Sequence, residues 1–95
     1  MARYELTNAA ATDFQSIIEF GIDTFGLTQA LKYQDGLQKR FKELAEQPEL
    51  YVAVDEIRTG YRRSVFKSHA IYYVAYPDHV LIVRILGQQD IRSAF

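Results

Sequence analysis

The stretch Tyr61-Arg62-Arg63-Ser64-Val65-Phe66-Lys67-Ser68-His69-Ala70-Ile71-Tyr72-Tyr73-Val74-Ala75-Tyr76-Pro77-Asp78-His79-Val80-Leu81-Ile82-Val83-Arg84-Ile85-Leu86 decides the fold. It holds three runs of β-formers. Tyr61 to Phe66 reads as one strand, His69 to Tyr76 as a second, and Val80 to Leu86 as a third. Pro77-Asp78 supplies the turn between the last two, with Pro favoured just after a turn's first residue. The third run is almost wholly β-branched or Leu, and runs that do not alternate belong to strands covered on both faces. Tyr72 and Tyr73 are adjacent, so one must point to each face.

Upstream the period changes. Arg3 to Leu6 alternates as a short strand. Thr7 or Asn8 can cap a helix, because the side-chain oxygen accepts from a free first-turn N–H. Phe14, Ile17, Ile18, Ile22 and Phe25 then recur at helical spacing, and Gly26 stops the run. A second stripe, Leu27, Ala30, Leu31, Leu37, Phe41, Leu44 and Ala45, follows a cap at Thr28, and Pro48 closes it. The link is two or three residues, so the helices form an antiparallel hairpin. Residues 49–60 read as irregular. The expectation is one α+β domain over residues 1–95, in the order β-α-α-β-β-β, with the helix hairpin packed on a mostly antiparallel sheet. The hairpin covers one sheet face; the chain's own loops or a partner must cover much of the other.

Composition narrows the chemistry. With 95 residues there is one core, not two. The chain has no cysteine, so it has no disulfide, thiolate metal site or cysteine nucleophile. The net charge of −1 argues against a nucleic-acid binder relying on bulk positive charge. That charge is uneven: residues 1–57 carry five Lys/Arg against ten Asp/Glu, residues 58–95 six against two. The N-terminus has no apolar run of signal-peptide length, and the ten uncharged residues Ser68 to Pro77 are too few to span a bilayer. A cytoplasmic protein is expected.

No phosphate-cradling glycine loop, dinucleotide fingerprint or HExxH zinc motif is present. His69 and His79 lie at opposite ends of a hairpin and cannot share a metal; His79 reads as an exposed turn residue and His69 as structural. Ser64 and Ser68 lack a base-and-orienter set. No cofactor and no metal is expected. Arg84 interrupts an apolar strand, which is costly unless it is paired or faces a groove. By alternation it points the same way as Val80, Ile82 and Leu86. Arg62, Arg63 and Lys67, interleaved with Tyr61, Phe66, Tyr72, Tyr73 and Tyr76, suit either single-stranded nucleic acid or a protein partner, or the tyrosines are simply core.

Several segments together resemble the ParE toxins of the RelE/ParE toxin–antitoxin superfamily. They are Asp55-Glu56-Ile57-Arg58-Thr59-Gly60-Tyr61-Arg62-Arg63, Ser68-His69-Ala70-Ile71-Tyr72-Tyr73, Val83-Arg84-Ile85-Leu86 and Gln89-Asp90. Tyr4-x-Leu6-Thr7-x-Ala9-Ala10-x-x-Asp13 and Phe25-Gly26 fit as well, so the likeness spans nearly the whole chain. The resemblance implies a non-enzymatic toxin that inhibits DNA gyrase and is neutralised by a cognate ParD-like or other DNA-binding antitoxin, with no direct nucleic-acid binding. The antitoxin contact is expected at Arg58, Tyr61, Arg62 and Arg63, and the target contact at Arg84, Gln88, Asp90 and Arg92. The alternatives are a RelE-like ribosome-dependent ribonuclease, using Arg62, Arg63, Lys67 and Arg84 on phosphates, and a decayed toxin that only binds antitoxin. The ribonuclease branch needs a proton-transfer group near the C-terminus, and no Tyr, His or Lys follows Arg84. Gly87 stands where ParE chains usually carry a His after the Ile-Leu of this strand.

Overall fold

The computed structural model describes residues 2–87, 94 and 95. Its elements are β1 (Tyr4–Leu6), α1 (Asn8–Phe25), α2 (Leu27–Glu46), a 3₁₀ turn (Pro48–Leu50), β2 (Val52–Ala53), β3 (Tyr61–Phe66), β4 (His69–Ala75) and β5 (Val80–Leu86). The strands form one sheet in the order β1-β5-β4-β3-β2. All neighbours are antiparallel except β1 and β5, which run parallel with Tyr4 opposite Val80 and Leu6 opposite Ile82. The α+β architecture is the expected one. The strand β2 inside the stretch read as irregular is an addition: two residues carry no readable period, and only pairing with Arg62 and Arg63 reveals them.

Thr7 caps α1, its hydroxyl accepting from Ala10 N–H at 3.0 Å. The helix hairpin is tighter than its sequence suggests. Gly26 alone joins the helices, at φ +94°, where a side chain would be strained. Thr28 therefore lies inside α2 and caps nothing. At Gly21 an added Cβ would sit 3.3 Å from Ala30 Cβ, so small residues let the two helices close up.

The core lies between the hairpin and one sheet face. Ala10, Leu37, Phe41 and Leu44 from the helices meet Ile71, Tyr73, Val80, Ile82 and Ile85 from the sheet. The opposite face carries a smaller cluster of Val54, Tyr72 and Leu86, with Ile57, Tyr61, Ala70, Ala94 and Phe95 against it. Tyr72 and Tyr73 thus point to opposite faces, as adjacency requires. The chain's own residues supply part of the second cover.

One expectation is overturned by a β-bulge. Tyr72 pairs with Arg84 and Tyr73 with Ile82, leaving Val83 as an extra residue on β5. An extra residue shifts the side-chain alternation by one. Val80 and Ile82 face the helices, as does Ile85, whereas Arg84 and Leu86 face the other way. Arg84 therefore does not share a face with Val80 and Ile82.

Candidate interaction surface

Four residues lie in a row across the outer sheet face: Val52, Arg63, Tyr72 and Arg84, each the register partner of the next. Arg84 is not free on that face. Its Nε donates to Asp13 Oδ2 at 2.7 Å and its Nη2 to Asp13 Oδ1 at 3.0 Å, a bidentate pair across the edge of β5. Nη1 donates to the Ala94 carbonyl at 3.4 Å. The Asp13 hydrogen bond holds the guanidinium above its ordinary pKa. Asp13 also accepts from Ile85 N–H at 3.0 Å, and the Thr7 hydroxyl donates to the Val83 carbonyl at 2.7 Å. β1 ends at Leu6, so β5 has an open edge beyond Ile82; Asp13 and Thr7 satisfy its backbone groups there.

The expected antitoxin contacts divide between the faces. Arg58, Tyr61 and Arg63 belong to the outer side. Arg58 donates to the Phe95 carbonyl at 3.3 Å, and the Phe95 ring meets Tyr61 and Tyr72 edge-on at centroid distances of 5.7 and 5.2 Å. Arg63 Nε is buried without a hydrogen-bond partner. Val65, two residues along β3 from Arg63, is 61% exposed, and Val52 opposite Arg63 is 57% exposed. Arg62 faces the helices instead. It donates to the Tyr51 carbonyl at 2.7 Å and so holds the turn after α2. The Tyr73 hydroxyl donates to the Pro48 carbonyl at 2.6 Å beside it, and burial pushes that phenol up to about 12. Of the expected target contacts, Gln88, Asp90 and Arg92 lie outside the described residues.

The histidines stay apart. His79 hydrogen-bonds Asp78 at 2.8 Å and stacks on Tyr76; it is half-buried rather than exposed. His69 Nδ1 meets the Tyr33 hydroxyl at 2.6 Å, and burial lowers its pKa. Among the described residues no cluster of His, Asp and Glu could hold a metal ion. Among the described residues no helix is long and apolar enough to cross a membrane. Two features escaped sequence reasoning: Asp13 as the partner of Arg84, and the carbonyl acceptors of Arg62. Asp13 lies off the apolar stripe of α1 and stood in the sequence as one residue of the family pattern with no partner to read; backbone acceptors have no sequence signature.

Residues 4–92 match the family model described as ParE toxin of type II toxin-antitoxin system, parDE. A protein named Toxin ParE1 from Mycobacterium tuberculosis is 35% identical over 89 residues, covering 93% of this chain and 91% of that one. A protein of the same name from Caulobacter vibrioides is 32% identical over 88 residues, with the same coverage. The fold superimposes on a chain of the chromosomal ParDE system of Pseudomonas aeruginosa with a TM-score of 0.79 at 19% identity, covering 94% of this chain and 98% of that one. A conserved hypothetical protein of Helicobacter pylori follows at a TM-score of 0.60 and 17% identity, covering 93% and 96%. With the family model matched over residues 4–92 and these relatives covered nearly end to end, the chain belongs to the ParE toxins of type II toxin–antitoxin systems.

Proposed function

We propose that this ParE-family chain acts in the cytoplasm by binding rather than by cutting RNA, that DNA gyrase is its target, and that a cognate antitoxin silences it. One observation carries the choice between gyrase binding and ribonuclease action: Arg84, the strand arginine a ribonuclease would turn to phosphate, is committed to both oxygens of Asp13. Arg62 is likewise committed to a backbone carbonyl. General acid–base cleavage also needs a titratable group within reach of the reacting oxygens. His69 is instead paired with Tyr33 of α2, and His79 sits with Asp78 at the β4–β5 turn.

The antitoxin contact fits the edge half of the outer face. Val52 and Val65 flank Arg63 there, with Arg58 and Tyr61 on the same side. An acidic and apolar tail matches that mixture, and the net positive second half of the chain favours it. Arg62 supports this surface from behind by fixing the turn that leads into β2. The segment after β5, including Gln88, Asp90 and Arg92, is the proposed target contact, with Arg84 the positioning residue that ties the end of β5 to α1 through Asp13 rather than a free contact.

The deciding experiment runs gyrase supercoiling and DNA-cleavage assays beside ribosome-dependent mRNA cleavage. Gyrase inhibition without RNA cleavage is expected. RNA cleavage that disappears in Arg63→Ala would overturn the reading in favour of the ribonuclease. Activity in neither assay, with antitoxin binding intact, would leave a decayed toxin, with Gly87 in place of the usual His the first position to revert.

A further inference from the structure

A cavity of about 530 Å³ opens between the helix hairpin and the β3–β4 turn, away from the outer sheet face. That size is in the range of small-molecule sites. One wall is apolar: Phe20 and Phe25 of α1 line it and are 65% and 67% exposed. Such large exposed aromatics beside a cavity mark a surface that gains by being covered. The other wall is polar and carries only cationic or neutral groups: Lys32, Lys67, Tyr33 and His69, with no acid in the lining. Among the described residues neither lysine has an ion-pair partner. The Lys67 ammonium instead lies over the rings of Tyr33 and Phe66, 5.8 and 5.6 Å from their centroids.

The backbone supplies an independent observation. Lys67 is the only described non-glycine residue at positive φ, +53°, in the two-residue turn between Phe66 and His69. Such turns ordinarily take Gly, Asn or Asp at that place. A β-hairpin that holds a lysine in the left-handed region keeps strain that a glycine would remove. The residue held this way brings its charge to the mouth of the cavity. His69, hydrogen-bonded through Nδ1 to the Tyr33 hydroxyl, adds a polar ring to the same wall, and burial lowers its pKa.

We propose that this cavity binds an amphipathic monocarboxylate, its hydrocarbon part against Phe20 and Phe25 and its carboxylate between Lys32 and Lys67. The site is separate from the outer-face surface and does not depend on the toxin's target. The test titrates the purified full chain with decanoate and with 1-decanol, which share a chain length and differ in charge, by calorimetry and by amide chemical shifts. Decanoate should bind about tenfold or more tightly than decanol, with shifts at Gly21, Ala30 and His69. The doubly substituted Lys32→Met, Lys67→Met chain should bind the two equally while its melting temperature is kept. Phe25→Ser should weaken both. Equal affinity of the native chain for the two probes, shifts confined to the outer face, or no binding of decanoate would overturn the proposal.

Discussion

Asp13 of α1 and Arg84 of β5 stand 71 positions apart in the chain and meet in a bidentate pair, at 2.7 and 3.0 Å. Their side chains are only 15% and 25% exposed. The pair clamps the N-terminal half of α1 to the strand edge that β1 leaves open. Its loss leaves one charge poorly solvated beside an unpaired strand edge.

Removing both partners should cost less than the sum of removing each alone. Arg84→Ala is expected to destabilise by roughly 2 kcal/mol, because Asp13 keeps its charge without its partner. Asp13→Ala should cost a comparable amount and also strand the Ile85 N–H. The double substitution should fall short of the sum by at least about 0.5 kcal/mol, the signature of direct coupling. Urea denaturation of the three variants measures this, and strict additivity would show the pair to be energetically idle. Toxicity of Arg84→Ala must then be read per folded molecule.

Adjacent arginines on β3 should behave differently. Arg62→Ala loses a charge-assisted bond to the Tyr51 carbonyl and should destabilise by about 1.5 kcal/mol. Arg63→Ala removes a side chain with no such bond from its buried Nε. It should leave stability within about 0.5 kcal/mol and weaken antitoxin binding about tenfold. Denaturation and calorimetry separate the two effects; the opposite pattern would exchange the roles of the arginines.

Gly36 is a contact position on α2. A Cβ there would lie 2.5 Å from Phe66 Cζ, and that ring is held by Tyr33 edge-on at 5.4 Å and by the Arg40 guanidinium at 5.4 Å. Glycine costs a helix interior about 1 kcal/mol against alanine. Even so, Gly36→Ala should lower stability by roughly 1 kcal/mol net, because the overpacking penalty is larger. Adding Phe66→Leu should recover part of the loss. A stabilised single variant would mean that the ring moves aside freely.

Stability should fall on acidification through His69. Burial depresses its folded pKa below the unfolded value of 6.5. Its contribution is therefore fully present above pH 6.5 and is lost as the pH drops through the folded pKa. Denaturant midpoints at pH 7.5 and 5.5 should differ less in His69→Gln than in the native chain; an unchanged difference would assign the effect to other groups.

Lys67→Gly should raise stability, by up to about 1 kcal/mol. The left-handed position no longer carries a Cβ, though glycine returns some entropy to the unfolded chain. A shift of the urea midpoint at constant slope is the expected record. A destabilised variant would mean that the ring contacts of the ammonium outweigh the backbone strain.

Local chemistry makes the order of the helices and the longer strands readable in the sequence. Helical spacing of Phe14, Ile17 and Ile18, a cap at Thr7 or Asn8, a Gly26 stop and a Pro77-Asp78 turn each act within a few residues, so each leaves its mark in the sequence. The family signature was readable for the same reason: its pieces are short and ordered along the chain. What stayed hidden depends on distant pairing. That β1 lies parallel to β5, that Val52 and Ala53 form an edge strand, and that Val83 bulges are decided by which backbone groups meet across the sheet. The bulge alone reverses the face of Arg84, and the face decides whether it meets Asp13 or the core. Arg62, one residue from Arg63, turns to the opposite sheet face and there reaches the Tyr51 carbonyl. Side-chain identity set what these arginines could bond to; tertiary structure decided which acceptor lay within about 3 Å.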